Sequence, residues 1–130
     1  MTRRLCSIEE VNTITKSALI IIKSSESKSK ETFEGLRIAM SMIGMDMMPK
    51  LLFCDEAVSF LWKDNKHRND EKYAHYLETL AEMAGIKVLS TSLEDRHLLL
   101  CDLIESLNPQ VISPSQASKL VSESDLILAV

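Results

Sequence analysis

The chain has 130 residues, 45% hydrophobic and 26% charged, with a formal net charge of −4. This is one ordinary domain with enough apolar content for a core, and its acidic balance points away from a nucleic-acid backbone as partner. Runs such as ALIII are far too short to span a bilayer, and the basic start, MTRRLCSIEE, lacks the apolar stretch of a signal peptide, so a cytoplasmic protein without a membrane partner is expected.

Residues 1–16 read as a polar N-terminal extension, with a short helix expected over SIEEVNTI, and residues 17–130 read as a single domain without repeats or linkers. Ala18 to Ser25 is uninterrupted and β-branched, which suits a strand buried on both faces. The serine-rich stretch after it is a polar loop holding several possible helix caps. Phe33, Leu36, Met40, Ile43 and Met47 then recur at helical spacing, and Pro49 stops that helix.

Lys50 to Ala57 is expected as the second strand, closing on the acidic pair Asp55 and Glu56. VSFLWKD is a short helix or turn, and NKHRNDEK a solvated charged loop. Asp70 to Gly85 is expected as a helix with Tyr73, Leu77, Leu80 and Ala84 on one face and Gly85 as its C-terminal cap. IKVLS is the third strand. SLEDRHLLLCDLIESL is expected as a further helix, with Leu93, Leu100, Leu103 and Ile104 facing inward. PQVIS is a short fourth strand, SPSQASKLVSES a helix with a Ser-Pro start, and DLILAV the fifth strand. Apolar strands alternating with helices over short connections predict a three-layer α/β/α fold with a five-stranded, mostly parallel sheet.

Cys6, Cys54 and Cys101 form no CxxC pair and no zinc-ligand spacing, and their odd number argues against a disulfide framework. His67, His75 and His97 have no metal-ligand spacing either. There is no phosphate-binding glycine loop and no nucleophile elbow, so neither a metal nor a cofactor is expected. The methionines of MSMIGMDMM exceed what one helix face can bury. They read either as adaptable core filling or as a subunit interface.

Four segments in order resemble the DsrE/DsrF-like family, which includes sulfur-relay subunits: LIIIKSSESKSKETFEGLRIAM, PKLLFCDEAVSFL, AGIKVLSTSLEDRHL and ASKLVSESDLILAV. The resemblance implies an intracellular sulfur-transfer role and assembly into homomeric or mixed oligomers with other relay subunits. Carrier members of the family place a cysteine at the end of the third strand, before a Ser/Thr-rich turn and a Leu-x-x-Arg helix. Here Leu89 takes that position, with Ser90 or Thr91 after small shifts of register. Where the family has Asp-Gly-Val after strand two, this chain has Glu56 in place of the glycine that would permit positive φ, which implies an ordinary turn there, or a different one.

A hydroxyl cannot replace the thiolate of a persulfide carrier. The chain therefore reads as a non-carrier subunit of the sulfur-transfer class. Two alternatives stand beside that reading. Ser90, Thr91 and Ser92, with Ser24, Ser25 and Asp55 at the same sheet edge, could bind a small anion; the plainer account is that the Ser90–Ser92 turn caps its helix. Cys54, at the carboxyl end of a central strand, is the candidate catalytic thiol for a sulfurtransferase. Its acidic neighbours raise its pKa, and burial as a structural residue is the plainer account. Cys101 is expected mid-helix, in the core or an interface.

Overall fold

A computed structural model describes residues 17–23, 29–64 and 71–130. The expected N-terminal helix, Cys6, the candidates Ser24 and Ser25, and His67 lie outside the described residues. The strands are β1 (Ala18–Ile22), β2 (Lys50–Phe53), β3 (Ile86–Leu89), β4 (Gln110–Ile112) and β5 (Leu126–Ala129). The helices are α1 (Ser29–Gly44), α2 (Glu71–Met83), α3 (Ser90–Asp95) and α4 (Pro114–Glu123), with 3-10 segments at Asp55–Leu61, Leu100–Asp102 and Glu105–Leu107.

The strands form one sheet in the order β4-β3-β2-β1-β5. Every pairing is parallel, so each strand hands its successor a crossover. Alternate side chains point to opposite faces. On one face Ile20, Ile22, Leu51, Phe53, Ile86 and Val88 meet Leu36, Ala39 and Met42 of α1 and Tyr73, Leu77 and Leu80 of α2. On the other, among the described residues, Leu19, Leu52 and Ile112 meet the half-buried Ala117 and Leu120 of α4, with Ile21 and Leu89 beside them. Burying each large apolar side chain contributes about 1.5–3 kcal/mol, so the first face carries most of the stability.

The face that α1 turns to the sheet is narrower than the five-residue stripe expected from spacing. Leu36, Ala39 and Met42 are buried, while Phe33, Met40, Ile43 and Met47 pack at its flanks. Small residues explain the shift, because they let the helix approach closely. A Cβ on Gly35 would stand 2.7 Å from Val130 Cγ2. The helix ends at Asp46, which adopts φ 62. There Asp46 N–H donates to Ile43 O and Met47 N–H to Met42 O, a Schellman turn made with aspartate where glycine is usual.

The long helix expected over Ser92 to Leu107 does not form. α3 stops at Asp95 because His97 takes φ 56. His97 N–H donates to Glu94 O and Leu98 N–H to Leu93 O, again a Schellman closure. Two short 3-10 turns follow, so Leu93 and Leu103 are buried but Leu100 is not. Segment 61–63 is tied to this excursion: Ile104 N–H donates to Leu61 O, and Lys63 N–H to Asp102 O. Helix α4, by contrast, starts as its sequence indicates. Ser113 Oγ accepts from Gln116 N–H at 3.3 Å, Gln116 Oε1 accepts from Ser113 N–H at 2.8 Å, and Pro114 occupies the first turn.

Candidate functional site

The carboxyl edge of the sheet is assembled by strand register alone. Ile22 pairs with Phe53 and Phe53 with Val88. The next residue of each strand, Lys23, Cys54 and Leu89, therefore stands in one row at the edge where open α/β sheets place ligands. Cys54 N–H donates to Ile22 O at 3.0 Å, which extends the ladder by one bond before β2 ends.

Cys54 is buried, as the plainer reading had it. Burial first, and the Asp55 carboxylate second, push its thiol from the ordinary 9.0 up to about 11, and the positive charges of Lys23 and Arg96 offset this only in part. Near neutral pH it is a thiol, and the thiolate is the nucleophilic form.

Asp55 is exposed and adopts φ 52. The positive φ of this turn thus falls on Asp55 and not on Glu56, one residue before the position where the sequence pattern lacks its glycine. Aspartate tolerates this conformation better than most residues. The turn is held by Asp55 N–H donating to Ser92 Oγ at 2.8 Å.

The Ser90–Ser92 turn is not a helix cap. Leu89 is the N-cap of α3 and provides no side-chain acceptor. Ser92 is buried, and its hydroxyl reaches across to Asp55 instead. Its carbonyl accepts from Arg96 Nη1 at 3.3 Å. Ser90 is half-buried and Thr91 exposed, so of the three hydroxyls Thr91 is the one open to solvent.

Leu89 is half-buried rather than fully enclosed, and it turns to the second face of the sheet. With Pro114, Ala117, Ser118, Val121 and Ser122 of the α4 segment it lines an open cavity of about 420 Å³. Cys101 lies neither mid-helix nor in the core. It is exposed on the Leu100–Asp102 turn, where Lys63 Nζ lies 3.5 Å from its carbonyl oxygen.

Sequence reasoning missed three participants: Lys23, Arg96, and the bond from Ser92 to Asp55. The first two had usable signals, since Lys23 directly follows the last residue of β1 and Arg96 completes the Leu-x-x-Arg pattern begun by Leu93. The bond joins residues 37 apart in sequence, and nothing in local spacing announces it. Among the described residues no three His, Cys, Asp or Glu side chains are grouped so as to hold a metal ion. No helix among them is long and apolar enough to cross a membrane.

The family model of the DsrE/DsrF-like family matches residues 16–130. No curated protein matches the chain. Among solved structures, the crystal structure of the ychN protein from E. coli superposes with a TM-score of 0.71 at 16% sequence identity, covering 89% of this chain and 100% of that chain. That likeness shows a shared fold.

Proposed function

The chain belongs to the DsrE/DsrF-like family, and from that membership, which makes it in a general sense a sulfur-relay-related protein, we propose that it is a non-carrier subunit of a cytoplasmic sulfur-transfer assembly. The observation that carries this reading is the composition of the strand-end row. Leu89 stands where the carrier cysteine of the family resemblance would stand, and the thiol beside it is buried with its pKa pushed up to about 11. A relay needs a thiolate that attacks a persulfide and passes the outer sulfur on. Neither residue supplies one near neutral pH.

A subunit without the carrier thiol contributes surface instead. Met45 and Met48 at the end of α1 are exposed, as are Leu126 and Ile127 on edge strand β5. Exposed apolar side chains of this kind favour a contact with another copy or with a relay subunit. The small-anion reading has less support: Ser92 is buried and committed to Asp55.

The test is sulfur loading. The purified chain is incubated with a cysteine desulfurase and cysteine, and its intact mass is measured, alone and with a cysteine-bearing relay subunit. The expected result is no gain of sulfur on this chain and a stable complex with the partner. A gain of one sulfur that disappears in Cys54→Ser would replace this reading by a sulfurtransferase using Cys54.

A further inference from the structure

Strand β5 closes one side of the sheet, and among the described residues no strand pairs with its outer edge. Edge strands are ordinarily blunted by charged side chains, proline or a bulge, because their unpaired backbone groups template further pairing. β5 reads LILA in unbroken register with β1 and has none of these devices. Asp125, the acid just before it, is committed elsewhere: its carboxylate accepts from Ser17 N–H at 3.1 Å. Leu126, Ile127 and Ala129 are exposed.

The ladder to β1 fixes which backbone groups are free. Leu126 N–H donates to Ser17 O, Val130 N–H donates to Ile21 O, and Val130 O accepts from Lys23 N–H. Backbone groups of successive strand residues point to alternate sides. Leu126, Leu128 and Val130 therefore face β1, and the N–H and C=O of Ile127 and Ala129 face outward. These groups are spaced to pair with their own copies. Set antiparallel with Leu128 on a two-fold axis, Ile127 stands opposite Ala129 of the second copy, and Ala129 opposite its Ile127. Each such pair exchanges both hydrogen bonds, so all of these groups are satisfied. A register with Ile127 opposite itself would set Ala129 against Asp125, whose N–H is already taken by Ser17 O. The side chains fit the same register. On the second face large Ile127 meets small Ala129. On the first, Leu128 meets its own copy and Leu126 meets Val130. No charged side chain stands among them. Helix α1 extends the contact. Gly35 lies against Val130, and Ile38, Met42 and Met45 follow it at spacings of three and four residues, so this flank of α1 runs along β5. Ile38 is half-buried and Met45 is 66% exposed. They add the apolar area that a strand edge alone lacks against the roughly 1,000 Å² of a stable interface.

We propose that the outer edge of β5 pairs with the same edge of a second copy of this chain, antiparallel about Leu128, and joins the two sheets into one. The inference rests on the contact-surface part of the proposed function and on none of its sulfur chemistry.

The test uses the full chain alone, so its failure leaves the missing carrier thiol untouched. Sedimentation at micromolar concentration should give the mass of two chains or an even multiple. Ala129→Pro removes an outward N–H and no bond to β1. It should raise the dissociation constant at least about tenfold while circular dichroism stays that of the folded chain. Register is read by cross-linking. Ile127→Cys and Ala129→Cys chains, mixed and oxidised, should link to each other, since their Cα atoms would lie about 5.5 Å apart. Either chain alone should link at that position far more slowly, because like residues are then displaced along the strands. Peptide mass identifies the linked pair. A single-chain mass at every concentration would overturn the proposal, whichever other strand then takes the edge. So would an assembly that folded Ala129→Pro leaves intact, or linking no faster in the mixture than in either chain alone. If Ala129→Pro does not fold, the cross-linking decides by itself, since both cysteine positions are exposed.

Discussion

Asp55 holds a left-handed backbone conformation through one hydrogen bond, from its own N–H to the buried hydroxyl of Ser92. Removing that acceptor in Ser92→Ala should cost about 1–2 kcal/mol, read as a lower urea midpoint at unchanged slope; an unaltered midpoint would mean the bond contributes nothing. Cys54 gives a prediction of opposite character. Its thiol titrates at about 11 in the folded protein against an ordinary 9.0. Between these values the unfolded chain releases a proton that the folded chain keeps, so ν in the unfolded state is the smaller and stability falls as pH rises. That part of the stability is intact below about pH 9 and is lost progressively toward about pH 11. The difference between wild type and Cys54→Ala should therefore change across that window and stay flat below it. In the same protein iodoacetamide should modify Cys54 slowly when native and rapidly when unfolded. At this scale the sequence was informative about chemistry and poor about partners. The acidic neighbours and strand-end position of Cys54 were legible, whereas the reach of Ser92 across to another turn depends on how two distant segments meet.

Several elements end where a residue accepts positive φ, and among the described residues Asp46, Asp55, His97 and Asn108 do so without being glycine. His97 closes α3 at φ 56, where a side chain costs about 1 kcal/mol. His97→Gly should raise stability by about 0.5–1 kcal/mol, measured by thermal unfolding; a loss would show that the imidazole contributes a contact worth more than the strain. Gly35 is the reverse case. Alanine there would gain helix propensity of about 1 kcal/mol, but its Cβ would stand 2.7 Å from Val130 Cγ2. Gly35→Ala should therefore destabilise, and Val130→Ala in the same chain should restore much of the loss. Equal costs in both backgrounds would rule out that contact as the cause. These two positions also explain what could be read in advance. Strands and the α2 helix follow from apolar periodicity and from Gly85, an ordinary cap at φ 81. The stop at His97 was hidden, because neither its residue type nor the apolar run Leu98 to Leu100 marks a helix end.

Across the molecule the sheet divides its burden unequally. One face packs α1 and α2 against six large strand residues, and the other leaves Ile127 of β5 42% exposed beside its register partner Leu19. Parallel sheets are ordinarily covered on both sides, which is why we expect the purified chain to sediment as more than one copy at micromolar concentration. Met45→Lys with Ile127→Lys should shift that mass toward the single chain while leaving the unfolding of the remaining monomer cooperative. A wild-type mass of one chain would count against any homomeric contact. The parallel order was foreseeable from apolar strands and short crossovers, since few arrangements satisfy both. Which surfaces stay uncovered was not, because it depends on where α4 lies. The position of β5 has a kinetic consequence. Ser17 N–H reaches the Asp125 carboxylate across 108 positions of sequence, and β1 waits beside an empty edge until every other strand has been made. Closing so long a loop precedes any reward from pairing. Refolding should thus end with the docking of β5. Leu128→Ala, which trims its packing on the core, should speed unfolding several-fold and leave the folding rate nearly unchanged. On a ribosome, the same order leaves the edge of β1 bare until β5 emerges, a time in which another strand could pair with it.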